Sequence, residues 1–157
     1  MRSWLAAAFF VLACELAGVL GALATQTGTS AWYQELAKPW FQPPPWVFGP
    51  VWTLLYALMG IAAWRVWRGG MEKPGVRWAL GLFALQLGLN AAWSPVFFGA
   101  HEIGFALAIL AALWLVLAAT IRAFALLDRA AAWLLAPYLA WVTFALVLNA
   151  AILHLNP

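Results

Sequence analysis

The sequence predicts an all-α integral membrane protein: a bundle of five transmembrane helices in one domain spanning 1–157, with a long structured loop between the first two helices. Three observations carry this. Apolar residues make up 67% of the chain and charged residues 8%, where soluble domains run near 45–50% and about 25%. A mean hydropathy of +0.91 leaves too little polar side chain to coat a water-soluble globule. The apolar residues fall into five runs, each near the ~20 residues that a helix needs to cross a bilayer. The formal charge of +3 does not point to nucleic acid, because the basic residues are few and sit at the ends of these runs.

The first run, 3–24, follows Arg2 and ends in Ala22-Leu23-Ala24, features shared with a secretory signal. Its apolar part is longer than a usual signal core and Glu15 interrupts it, so a retained transmembrane helix is expected. A carboxyl at that depth is costly unless it faces protein, a partner or water. Glu15 is therefore either a proton or ligand contact, or a neutral carboxyl hydrogen-bonded between helices. Cys14 is a lone thiol in an apolar run, expected to pack as a small buried residue, with no disulfide or cysteine metal site.

Residues 25–45 form a loop without evident secondary structure, and loops of that length are functional or disordered. Trp32, Tyr33, Trp40 and Phe41 make it too aromatic for a solvated linker. Lys38-Pro39 and Pro43-Pro44-Pro45 restrict its backbone and remove amide donors. It either lies over the bundle as a lid or forms an interfacial aromatic belt.

The second helix is expected over 46–68, with Pro50 in its first turn; Trp52, Tyr56, Met59 and Ala63 recur at spacings of three and four and share a face. The third, 76–99, has two chemistries. Gly81, Ala84, Gly88 and Ala92 fall in one arc, and Gln86, Asn90, Trp93 and Phe97 in the opposite one. Small residues at intervals of four let helices approach closely in lipid, either within one chain or as a homodimer interface. The two amides need partners in hydrocarbon, so they join helices or line a cavity. Pro95 should bend this helix.

The fourth helix, 102–127, is rich in Ala and Leu and carries no evident chemistry. The fifth, 130–155, has Pro137 near its start and places Tyr138, Trp141, Ala145, Leu148 and Asn149 on one face. Three helices thus present aromatic–polar stripes, which serve packing or a ligand site.

Five crossings put Arg2, Arg65, Arg68, Lys73, Arg77, Arg122 and Arg129 on one side, seven of the eight Lys and Arg, with Lys38 alone opposite. The positive-inside rule then places the N-terminus in the cytoplasm and the aromatic loop outside, in a bacterial host. Lipid headgroups would meet the basic side. No Walker loop, nucleophile elbow or HExxH motif occurs. His101 and His154 lack a second ligand at metal spacing, so no metal site is expected.

Trp32-Tyr33, Leu36, Lys38-Pro39, Trp40, Pro43-Pro44, Trp46-Val47, Gly49-Pro50-Val51-Trp52 and Leu55-Tyr56 resemble the signature of the translocator protein family, TspO/MBR, also called the peripheral-type benzodiazepine receptor. The likeness continues in Gln86-Leu87, Leu89-Asn90, Trp93, Pro95 and Phe97-Phe98-Gly99, then in Pro137-Tyr138-Leu139, Trp141, Phe144-Ala145 and Leu148-Asn149. It covers nearly the whole chain in order. The resemblance implies a five-helix bundle, often a homodimer, whose pocket the first loop covers. It also implies binding of tetrapyrroles (protoporphyrin IX, haem) as ligands rather than required cofactors, and of isoquinoline- and benzodiazepine-type molecules. Family ligand contacts map to Tyr33, Pro43, Trp52, Tyr56, Asn90, Trp93, Ser94, Trp141, Ala145 and Leu148. Some bacterial relatives promote light- and oxygen-dependent porphyrin breakdown, for which Trp52 and Trp141 are the matching catalytic candidates; others are read as transporters. Family analogy allows the outer membrane, whereas the helical character and charge bias favour the inner one. The cholesterol-recognition segment of animal members needs a Tyr and a basic residue after Leu148-Asn149, and Ala150-Ala151-Ile152-Leu153-His154 supplies neither, so tight sterol binding is not expected.

Overall fold

The structure, a computed structural model, describes residues 2–23 and 30–157. Residues 25–29, the beginning of the expected loop, lie outside them. Five segments are long and apolar enough to cross a membrane, and no strand occurs among the described residues. The helices are α1 Arg2–Leu23, α2 Ala31–Glu35, α3 Pro45–Trp67, α4 Val76–Ser94, α5 Ile103–Leu127, α6 Arg129–Leu134 and α7 Ala136–Leu155, with a π-helical turn at Pro95–Gly99.

Local chemistry accounts for three departures from the expected elements. The loop contains α2, a short helix begun by Ser30, whose hydroxyl accepts from the Tyr33 amide at 3.3 Å. Proline is pre-set for the first helical position, so α3 starts at Pro45 and Pro50 falls in the second turn, inside the helix. The fifth segment divides at Leu135. Pro137 lacks an amide proton and crowds the carbonyl one turn back, and α6 closes with a tight bond from the Leu135 amide to Ala132 O at 3.1 Å. The discontinuity at Pro95 takes the form of the π-turn, sealed by Ala100 N–H donating to Pro95 O at 2.9 Å.

Around the bundle the order is α3, α1, α4, α5, α7, closing back on α3, with α6 against both α3 and α5. Met59, Ala62 and Ala63 of α3, Ala79 and Phe83 of α4, Leu113, Leu117 and Phe124 of α5, and Tyr138 and Val142 of α7 fill the interior. A second cluster, Phe97, Ile103, Ala106, Leu148 and Ile152, lies under the loop. Leu5, Phe9, Leu12, Leu16 and Leu20 of α1 and Leu115 and Leu126 of α5 face outward, as suits a solvent of acyl chains.

A close approach of two helix backbones lies off the small-residue arc. A methyl on Gly60 would stand 2.5 Å from Val11 Cα, so α3 meets α1 backbone to backbone there. Gly81, Ala84, Gly88 and Ala92 are all exposed, and a methyl on Gly81 or Gly88 would meet nothing within 4 Å. Cys14 is buried at 1% exposure, while Glu15 beside it is half-buried. One end of the bundle carries α2, the π-turn and the last turn of α7; Arg65, Arg68, Lys73, Arg77 and Arg129 belong to the other.

Candidate ligand-binding site

Helical spacing brings Trp52 and Tyr56 of α3 onto one face, where their rings stack at 5.4 Å. Trp52 meets Trp141 of α7 edge to face at 6.3 Å and Tyr138 at the same separation. These offset and perpendicular arrangements match the quadrupoles of aromatic rings. Trp141 continues the array to Phe144 at 5.5 Å and to Phe48 at 5.9 Å. Ala145, one turn on, is half-buried and packs against the same cluster.

Asn90 ties this wall together. Its Oδ1 accepts from the Tyr56 hydroxyl at 2.6 Å, and its Nδ2 donates to the Tyr138 oxygen at 2.7 Å. All three side chains are buried. An amide side chain has two donors and two acceptor sites, so half of Asn90's capacity remains. One turn earlier, Gln86 is fully buried and neither of its amide atoms has a protein partner. Such a group calls for a bound water or a ligand.

Trp93 links the two clusters. Its indole N–H donates to Asn149 Oδ1 at 3.1 Å, and Asn149 Nδ2 donates to Ile103 O at 3.0 Å. Its ring lies 5.4 Å from Phe97 and 5.8 Å from Phe98. The π-turn is what aims Phe97 and Phe98 at the loop. Leu148 adds the α7 side of this second cluster, and Ser94, half-buried, ends α4 beside it.

The loop covers that end. Tyr33 packs on Phe98 at 5.1 Å and on Phe97 at 6.3 Å, and its hydroxyl accepts from Gln42 Nε2 at 2.7 Å. Burial pushes the Tyr33 phenol up from its ordinary value, and the Gln42 bond offsets part of that. Pro43 is half-buried just before α3. Lys38 folds back, donating to Gln34 O at 3.2 Å and Leu36 O at 3.0 Å with its ammonium 4.8 Å over the Tyr33 ring. Trp32 stacks on His101 at 4.1 Å, and His101 holds a left-handed backbone at φ 60°. Asn156 clasps the loop from the far end of the chain: Ala37 N–H donates to its Oδ1 at 3.0 Å, and its Nδ2 donates to Ala37 O at 2.9 Å.

The expected site residues thus fall into two joined groups. Trp52, Tyr56, Asn90, Trp141 and Ala145 form a wall in the bundle; Tyr33, Trp93 and Leu148 lie at the lid, with Ser94 and Pro43 at its edges. Sequence reasoning left out Tyr138, the second partner of Asn90, although it shares the stripe of Trp141. It also left out Phe98, Gln42 and Asn156. The fifth-helix stripe already holds Tyr138, without assigning it to the site, but no periodicity marks a loop Gln or a terminal Asn.

Residues 10–155 match the TspO/MBR family model. A protein named tryptophan-rich protein TspO from Chlorobaculum tepidum is 42% identical over 92% of this chain and 91% of its own length. The tryptophan-rich sensory protein of Cereibacter sphaeroides is 44% identical, covering 94% and 89%. The human translocator protein is 43% identical, covering 93% and 87%. With a membrane bundle of five apolar crossings and a family match from Phe10 to Leu155, the chain belongs to the TspO/MBR family.

Proposed function

We propose that this protein is a membrane-embedded receptor for flat hydrophobic ligands, above all tetrapyrroles such as protoporphyrin IX and haem, and that it regulates their level or movement. The observation that carries this is the Trp52–Tyr56–Trp141 wall pinned by Asn90 under an aromatic lid. A porphyrin is flat and polarisable, so ring faces offer stacking beyond area burial, about 0.5–1.5 kcal/mol per aromatic pair. The unspent donor of Asn90, the amide of Gln86 and the third N–H of Lys38 supply polar contacts for carboxylate or carbonyl groups. Isoquinoline- and benzodiazepine-type molecules fit the same chemistry.

Tryptophan-quenching titrations with protoporphyrin IX, haem and cholesterol in parallel test it. Saturable quenching by the two tetrapyrroles, weaker in Trp52→Phe and in Ala145→Leu, is the expected result. Unchanged affinity in both variants sinks the site. The edge-to-face Trp52–Trp141 pair favours a second reading, light- and oxygen-dependent porphyrin breakdown through an oxidisable tryptophan. If the Trp52→Phe/Trp141→Phe double variant degrades porphyrin as fast as the parent, the chemistry belongs to the pigment. Ligand flux in sealed proteoliposomes separates transport from binding.

The exposed arc of Gly81, Ala84, Gly88 and Ala92 supports homodimerisation through α4. The basic residues at one end support an inner-membrane orientation with that end in the cytoplasm.

A further inference from the structure

At the end of the bundle away from the lid, two adjoining cavities share one residue. The first, about 230 Å³, is lined by Arg65, Arg68, Lys73 and Asp128, with Val76 among its apolar neighbours. The second, about 550 Å³, is lined by Leu58, Ile61, Trp133, Leu134 and Pro137, and again by Arg65. Their chemistries differ. The first gathers three cations against one carboxylate, and that carboxylate is already engaged. Asp128 Oδ1 accepts from Arg65 Nη2 at 3.2 Å, and its Oδ2 lies 2.9 Å from Nε, a Coulombic contact with the N–H poorly aligned. Arg65 Nη1 keeps its donors. The Arg68 guanidinium rests over the Trp64 ring at 4.8 Å, which restrains it beside the cavity. The second cavity is apolar apart from Arg65. It opens to the outside of the bundle beside Trp133, which is 77% exposed.

A free phosphate would fill the small basic cavity and ignore the large apolar one. A neutral lipid would do the reverse. A phosphate carried on an acyl chain uses both, with Arg65 at the junction. We propose that the paired cavities form a binding site for an anionic phospholipid. Its phosphate sits among Arg65, Arg68 and Lys73, and one acyl chain lies along Leu58, Ile61 and Trp133. Arg65 is fixed at the junction by Asp128, itself anchored by capping α6 through the amides of Ala130 and Ala131 at 2.9 and 3.1 Å. The larger volume falls in the ordinary range of small-molecule pockets, about 300–1,000 Å³. The smaller one suits a headgroup with a few waters, at roughly 30 Å³ each.

The test is native mass spectrometry of the full chain in detergent, offered phosphatidylglycerol and phosphatidylcholine in equal amounts. Phosphatidylglycerol should be retained preferentially, and Arg68→Gln and Lys73→Gln should each lower its retention about fivefold. Trp133→Ala should lower retention through the chain, while millimolar inorganic phosphate should not displace the lipid. Arg65 stays intact in these variants because its ion pair belongs to the fold. Equal retention of the two lipids, or unchanged retention in the Arg68→Gln/Lys73→Gln double variant, overturns the headgroup assignment. Unchanged retention in Trp133→Ala overturns the chain assignment. Displacement by inorganic phosphate marks a phosphate site and overturns the lipid.

Discussion

Asn90 is the residue on which the interior turns. It joins α3 to α7 by accepting from Tyr56 and donating to Tyr138, and all three side chains are buried. Removing its amide strands two buried hydroxyls, at about 1–3 kcal/mol for each unsatisfied group. Asn90→Ala should therefore lower thermal stability in detergent as well as ligand affinity. Tyr138→Phe strands only Asn90 Nδ2, with a smaller loss of stability, and leaves the Trp52 wall in place. Differential scanning fluorimetry of both variants checks the order; a Tyr138→Phe loss equal to that of Asn90→Ala would contradict it. Asn90 was legible in the sequence because an amide inside an apolar run requires a partner. Its partners were not, since a stripe reveals which face a residue occupies and not which helix stands opposite.

At the scale of elements, α3 offers a matched comparison. Gly60 lies against the α1 backbone, whereas a methyl on Gly49 of the same helix would meet nothing within 4 Å. Gly60→Ala should cost about 1–3 kcal/mol as overpacking, whereas Gly49→Ala should change stability little, because the helix propensity gained by a Cβ there is opposed by its crowding against the ring of Pro50. A clear drop in thermal midpoint for Gly60→Ala alone is the expected outcome; a stabilising Gly60→Ala would remove the close approach of α1 and α3. Helix α6 supplies a pH dependence. Burial raises the Asp128 carboxyl, but hydrogen bonds from Arg65 and the Ala131 and Ala130 amides, together with the Arg65 charge, hold it below its ordinary value. Its contribution is present above the ordinary carboxylate range and is lost as pH falls through the lowered value. The midpoint gap between the parent and Asp128→Asn should thus hold from neutral pH down to the ordinary carboxylate value of 3.8 and close only on acidification below it. A gap that stays constant would show that the carboxylate charge contributes nothing. Element existence was readable from apolar run lengths. The break at Leu135, the π-turn and α2 were not, because each depends on how a proline or a single hydroxyl settles a few backbone groups.

Across the whole molecule, hydropathy and charge were enough to give five crossings and a basic end. The neighbour order α3, α1, α4, α5, α7 was not accessible that way, because lipid-facing and protein-facing residues here are equally apolar. The small-residue arc shows the difficulty: the same pattern describes a buried seam or an outer one, and it is outer. If two copies meet there, Gly88→Ile should abolish the dimer in light scattering without lowering the thermal midpoint of the monomer, since a Cβ at Gly88 meets nothing within 4 Å. A dimer that survives would move the interface elsewhere.

Ala37 and Asn156 are 119 positions apart and hold each other by two hydrogen bonds, while Asn156 also donates to Ile152 O at 2.8 Å within the last turn of α7. Loosening that turn removes the acceptor of the Ala37 amide, so the lid's middle and the chain's final turn open as a single deuterium-exchange unit. Asn156→Ala should speed exchange at Ala37 and at the end of α7 together, while Asn90, deeper in the bundle, keeps its protection. A bulky fusion placed directly after Pro157 would pull on the same unit, so an affinity tag there works against the cover of the proposed ligand site.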